Sequence, residues 1–265
     1  MISKIKFPPT LLLVEIFLYT NNIELKLVNI IRICLNGLSK DRRINMKKKF
    51  IREDLLNYIN VEIKSKYKSF DKAHSIAHFN FVTKNCVEYG NELIKQGHDI
   101  NLEIAYIVGA YHDIGIIKGR EGHAKSSGVF VRNDNRLKEF YDENIIELIA
   151  QAVEDHSSHL EGEPRSIYGK IVADADRNNS LYLVFSRPVK YGLKNEKFRT
   201  REDHINRVYE FVNNKFGRNG YVKYWLDIPQ TRKEQLDVWK LLDNEEQCKC
   251  YISGILDEVS KGKVK

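Results

Sequence analysis

Cysteine is scarce in this sequence: Cys34, Cys86, Cys248 and Cys250 are the only four among 265 residues. So few in a chain this long build no disulfide framework, which excludes the stapled secreted scaffolds and makes the reducing cytoplasm the expected location. Cys248 and Cys250 lack a second Cys or His pair at zinc spacing, so they read as two ordinary cysteines on a helix. With five prolines and 15 glycines, collagen-like and Pro-rich disordered architectures are excluded as well. Long apolar runs are also missing. Leu11–Tyr19 comes nearest, but Glu15 interrupts it, and a spanning helix needs about 20 predominantly apolar residues. No small-x-small cleavage pattern follows that run, so it does not read as a secretory signal. The formal charge of +7 is unevenly spread, with seven Lys/Arg against three Asp/Glu in residues 1–45 and 36 against 33 in residues 46–265. An excess that mild over the main part of the chain excludes a dedicated nucleic-acid binder.

At 42% hydrophobic and 30% charged, the chain can bury a sizeable core. The first 45 residues hold no histidine and no motif, and Met46-Lys-Lys-Lys-Phe resembles a protein start. Residues 1–45 are therefore expected to be an appendage or upstream extension. Residues 46–265 are expected to form one domain, with a motif core over about 50–182 and C-terminal helices over 200–262. From residue 46 onward the apolar periodicity is helical. It predicts helices over about 51–66, 76–96, 101–113, 123–133, 142–156, 166–180, 200–216 and 231–261, with ends uncertain by ~2–4 residues. Asn101, Asp142 and Thr200 stand where N-caps belong, while Gly97, Gly115 and Gly217 follow periodic stretches. The segment Phe185–Phe198 contains Pro188 and Gly192 and reads as a loop or broken helix. The fold class is all-α, a helical domain with an added C-terminal helical layer.

Histidine and aspartate carry the chemistry. Apart from His98, six of the eight histidines fall between residues 74 and 159. His74 and His78 lie four apart at a helix start and share a face, with Asp71 ahead of them as an N-cap candidate. His112-Asp113 ends an apolar helix, and burying an imidazole beside a carboxylate is expensive unless a cation compensates. His123 and His156 follow, then Asp174 and Asp176 on a mostly apolar helix. Two residues apart, those carboxylates point different ways, so one of them faces the site. Mixed imidazole and carboxylate ligation suits a divalent first-row metal and argues against calcium or a thiolate site.

The ordered pattern His78, His112-Asp113, Asp176 resembles the HD superfamily of metal-dependent phosphohydrolases. The surrounding words match too: Asp71-x-x-His-x-x-x-His78, Tyr111-His-Asp-Ile-Gly115 and Asp174-Ala-Asp-Arg177. The resemblance spans about residues 50–182 and implies an HD-domain helical bundle in which His78, His112, Asp113 and Asp176 bind one divalent ion. That ion would be Mn, Co, Ni, Fe, Zn or Mg. Asp176 is preferred to Asp174 because the family pattern closes on Ala-Asp before a helix. Gly-Tyr-Pro is absent after His-Asp, and Ser157 rather than a second His follows His156, so the cyclic-dinucleotide phosphodiesterases are excluded. Many members carry Lys soon after His-Asp-Ile-Gly, whereas here Ile116-Ile117 precedes Lys118. The nearest likeness is to small bacterial HD hydrolases linked to nucleotide substrates.

The implied activity is hydrolysis of a small phosphate ester or anhydride. A bound divalent ion polarises a phosphoryl oxygen and lowers the pKa of water. Asp113, His123 and His156 are the candidate catalytic groups, the first orienting or deprotonating the attacking water and the histidines contacting phosphoryl or leaving oxygens. Lys118, Arg165 and Arg177 are the candidates for substrate phosphate binding. The small anionic substrate is the expected partner, with no nucleic acid and no membrane; 14 Tyr and 12 Phe leave room for a homodimer patch without locating it. A nucleotide-sensing module without turnover and a di-iron oxygenase of HD type are the alternatives. His98, His159 and His204 read as solvent-facing, and Tyr221, Tyr224, Trp225 and Trp239 as core of the C-terminal layer.

Overall fold

The computed structural model describes residues 51–177, 180–197 and 200–261, so the expectation for residues 1–45 lies outside the described residues. These form helices and no strand. The first stretch winds continuously through α1 (Glu53–Tyr58), a π turn over Ile59–Ile63 and a 3-10 run over Lys64–Ser69. Leu55, Ile59, Ile63 and Tyr67 recur every four residues, and all four are buried on one side. After a 3-10 turn at Lys72–His74 come α2 (Ile76–Lys95) and α3 (Leu102–Tyr111), then a second 3-10 turn at Ile114–Lys118. The chain continues through α4 (His123–Arg132), α5 (Asn135–Lys138), α6 (Glu143–Glu154) and α7 (Ile167–Asp176).

Side-chain caps set several of these starts. Asn101 accepts from the amides of Glu103 and Ile104, and Asp142 from that of Ile145, which leaves fewer orphan amides in each first turn. Helix α2 packs on α3 and α7, while α6 packs on α3, α4 and α7. Their apolar faces close one core from Ile51 to Ala175.

The C-terminal layer is built from α8 (Leu181–Asn195), α9 (Arg201–Phe216), α10 (Pro229–Leu242) and α11 (Glu245–Lys261). It has its own core, with Val184, Phe185 and Val189 of α8 against Val208, Val212 and Ile252. Thr200 and Asp203 close a capping box on α9. The non-helical strap 217–228 returns toward the first core, where Leu226 and Ile228 are buried. Asp174 holds it, accepting from the backbone N–H of Trp225 at 2.9 Å and of Leu226 at 2.8 Å. Among the described residues no helix is long and apolar enough to cross a membrane.

Four expectations need correction. The segment 185–198 is not a loop: α8 runs through Pro188 as far as Asn195. An interior proline costs a helix ~3 kcal/mol, but Val184, Phe185, Pro188, Val189 and Gly192 are buried at helical spacing, and that burial outweighs the missing amide. The stretch 231–261 is two helices, broken at Asp243-Asn244, because Asn244 accepts from Gln247 and starts α11 afresh. His204 is buried, 3% exposed, on the face of α9 that also carries Ile205 and Val208. Tyr221 is 43% exposed, and its ring stacks on His159 at 5.2 Å rather than entering the core.

Candidate metal centre

Three histidines are oriented by the same device. His112 immediately follows α3, His156 lies two residues beyond α6, and His123 opens α4. In each, Nδ1 meets the carbonyl three residues earlier: Gly109 at 2.8 Å, Val153 at 2.5 Å and Arg120 at 2.8 Å. A carbonyl only accepts, so each Nδ1 carries the proton, and in the neutral ring Nε2 presents its lone pair.

Those lone pairs converge on the Asp113 carboxylate. His112 Nε2 lies 3.0 Å and His78 Nε2 3.4 Å from Asp113 Oδ2, while the two Nε2 atoms are 3.1 Å apart. Asp176 Oδ1 completes this group at 3.0 Å from His78 and 3.7 Å from His112. The other carboxylate oxygen, Oδ1, faces His123 Nε2 at 3.3 Å and His156 Nε2 at 3.6 Å, themselves 3.2 Å apart. Ligand atoms placed ~2.1 Å from a common ion stand ~3.0–3.4 Å from one another. The donor set therefore fits a divalent cation, and Asp113 Oδ2, buried with no hydrogen-bond donor, is the atom most in need of one. His112, Asp113 and His156 are buried, whereas 29% of the Asp176 side chain and 24% of the His123 side chain are exposed, so the centre opens on that side.

Electrostatics without an ion point the same way. Burial opposes charging of His78, but the Asp113 and Asp176 carboxylates overcome it and raise the imidazole to about 9. Burial likewise works against Asp113, yet the surrounding imidazoles, His112 foremost, hold its carboxyl well below the ordinary range. His156 is raised, Asp113 outweighing its burial. A proton thus occupies, in the metal-free protein, a place where a cation belongs. Because the folded His78 value lies above the ordinary 6.5, protonation stabilises the metal-free fold fully below that pH, and the contribution fades as pH rises through about 9. A divalent ion displaces the same proton. Affinity for Mn is therefore expected to rise from pH 6.5 to 9, with proton release seen by calorimetry in buffers of differing ionisation enthalpy; pH-independent affinity would refute it.

Two hydroxyls hold the His112-Asp113 turn. Tyr67 donates to the Ala110 carbonyl at 2.9 Å and accepts from the Asp113 amide at 3.3 Å. Ser127 donates to the His112 carbonyl at 2.7 Å and accepts from the Gly115 amide at 2.9 Å. Neither residue is legible as part of a site in the sequence, because each comes from a separate helical segment. His74 does not share a helix with His78. It ends the short turn capped by Asp71, whose carboxylate meets its Nδ1 at 2.9 Å, and its ring lies 6.1 Å from that of His78.

The three expected phosphate cations stand in three different surroundings. Arg165 is engaged by Asp155 and Glu154, a pairing that fixes the turn carrying His156. Lys118 is exposed and lines a separate cavity of about 480 Å3 with Tyr58, Lys66, Phe130 and Arg136. Arg177 is buried, its Nη1 donating to Asp174 at 2.7 Å, and remains next to Asp176 in the chain. Asp174 thus faces Arg177 and the strap, while Asp176 faces the histidines.

A family model described as HD domain matches residues 73–178, the span that contains His78, His112, Asp113, His123, His156 and Asp176. No curated protein matches the chain. Among solved structures it is similar to a predicted HD superfamily hydrolase from an uncultured Thermotogales bacterium, with 24% identity over 60% of this chain and 90% of that one, at a TM-score of 0.40. Residues 73–178 thus match an HD domain, the domain of metal-dependent phosphohydrolases, and within that span His78, His112 and Asp113 are grouped as a cation site.

Proposed function

We propose that this protein is a cytoplasmic hydrolase of a nucleotide, cutting a small phosphate ester or anhydride at a centre formed by His78, His112, Asp113 and Asp176. The observation that carries the reading is the convergence of lone pairs on the buried Asp113 carboxylate, an arrangement that demands a cation. The nucleotide as substrate rests on the likeness of the motif words to small bacterial HD hydrolases.

A divalent ion held there would polarise a phosphoryl oxygen and lower the pKa of water. Asp113, kept ionised by its neighbouring imidazoles, is a weak base and orients the attacking water through a hydrogen bond. His156, whose imidazole is raised by Asp113 against its burial, is the candidate donor to the leaving oxygen. His123, partly exposed beside it, donates to a phosphoryl oxygen when protonated.

A second reading is favoured by the His123–His156 pair, whose Nε2 atoms lie 3.2 Å apart and face Asp113 Oδ1. In that reading they hold a second cation, and Asp113 gives one oxygen to each ion. Metal analysis separates the two: one ion per chain supports the first, and two ions falling to one in His123→Ala supports the second.

The test of function is a hydrolysis screen of the full chain against a nucleotide panel and an aryl phosphate, with Mn, Co, Ni, Fe, Zn and Mg. A His112→Ala/Asp113→Ala variant is the control. Metal-dependent turnover absent from the control is the expected result. Tight metal binding without turnover would favour a nucleotide-sensing module, and two irons with a charge-transfer band an oxygenase; absence of metal binding would overturn the reading. Removing residues 1–45 is expected to leave turnover within about twofold, a barrier change of under ~0.5 kcal/mol. Larger losses would show that those residues belong to the working enzyme.

A further inference from the structure

We infer that the cavity lined by Lys66 and Lys118 is a second binding site, distinct from the metal centre, for a small organic phosphate, a phosphate monoester on an apolar or aromatic body. The cavity measures about 480 Å3, within the ~300–1,000 Å3 usual for small-molecule sites, and a lone inorganic phosphate would fill little of it. Three packed elements supply its walls. The 3-10 run Lys64–Ser69 carries Lys66 and packs on the 3-10 turn Ile114–Lys118, which ends at Lys118. That turn also packs on α4, which carries Val129 and Phe130. None of His78, His112, Asp113, His123, His156 and Asp176 lines the cavity.

The charges on these walls set the class of ligand. Among the described residues the Lys66 and Lys118 ammonium groups meet no carboxylate or carbonyl, so both are open to an anion. Arg136, also in the lining, is answered by Glu139. The buried carboxylate of the lining, Asp134, does not call for a cation. It accepts from the Tyr58 hydroxyl at 2.7 Å, the Tyr111 hydroxyl at 2.8 Å and the Leu137 amide at 3.0 Å, so its oxygens are already satisfied. Glu62, exposed, is the other lining carboxylate and pairs with neither lysine. Two open ammonium groups against one such carboxylate favour an anion, and lysine binds phosphate as a compact point charge. Val129 is 44% exposed and Phe130 half-buried. An apolar wall beside unanswered cations suits a molecule charged at one end and apolar at the other.

The test is calorimetric binding of inorganic phosphate, phenyl phosphate and adenosine monophosphate to the full metal-free chain. Two cavity variants, Lys66→Gln/Lys118→Gln and Val129→Asp, are compared with wild type and with His112→Ala/Asp113→Ala. None of the three cavity positions is fully buried, and unchanged melting temperatures would show that these variants fold. At least one organic phosphate is expected to bind wild type about tenfold or more tightly than inorganic phosphate does. Each cavity variant is expected to weaken it about tenfold or more, while the His112→Ala/Asp113→Ala chain keeps it. Binding of neither organic phosphate, or binding that both cavity variants leave intact, would overturn the inference. Because binding is read without metal or turnover, an inactive protein would sink the hydrolase reading and not this one.

Discussion

Asp113→Ala is expected to abolish divalent-ion binding and to lower kcat/KM by about a thousandfold or more, equivalent to ~4 kcal/mol of barrier. Each oxygen of this carboxylate faces a different histidine pair, so one truncation empties both halves of the centre. No other described carboxylate takes its place: Asp176 reaches only His78 and His112, and Asp174 is turned to Arg177 and the strap. Metal analysis and steady-state kinetics, with circular dichroism to establish that the helices persist, measure the effect. Full metal content in the variant, or kcat/KM within tenfold of wild type, would show that Asp113 is not at the centre of the chemistry.

The second large effect is on stability. Gly115→Ala would place a Cβ 2.2 Å from the His123 carbonyl oxygen and 2.5 Å from the Ser127 amide, both backbone atoms of α4. Here the requirement is close approach, since the 3-10 turn after His112-Asp113 lies directly against the first turns of α4. Overpacking a core costs ~1–3 kcal/mol where side chains give way. Backbone of a helix cannot give in that manner, so a loss of ~3 kcal/mol or more is expected. For a domain of this size that is a fall in melting temperature of ~6–12 °C. The same displacement moves His123 and weakens the Ser127 bracket, so activity is expected to fall with stability. A variant melting within about 2 °C of the wild type would refute the packing argument.

Much of the molecule was legible from local pattern. Helix starts at Asn101, Asp142 and Thr200 were readable because a cap is chemistry within four residues. The choice of Asp176 over Asp174 as the carboxylate facing His78 and His112 followed from the family pattern, and their spacing required that the two diverge. The C-terminal layer was less legible. Pro188 and Gly192 argued for a loop, and only the packing of Val184, Phe185 and Val189 against α9 and α11 decided for a helix. His204 was misread for a similar reason, since a lone histidine carries no sign of which helix face will be covered.

The sequence by itself determined the all-α class, the HD motif and which histidines and aspartates could meet, because each is encoded by periodicity or by order along the chain. Only the tertiary structure decided how they meet: one carboxylate shared between two histidine pairs, a turn clamped by the Tyr67 and Ser127 hydroxyls, and Arg165 engaged by Asp155. Those outcomes join residues up to 46 positions apart, and side-chain direction at that separation is set by which helices pack together. The placement of cations follows the same rule. Lys118 and Arg165 stand close to the motifs in sequence, yet Lys118 lines a separate cavity and Arg165 is held by Asp155 and Glu154.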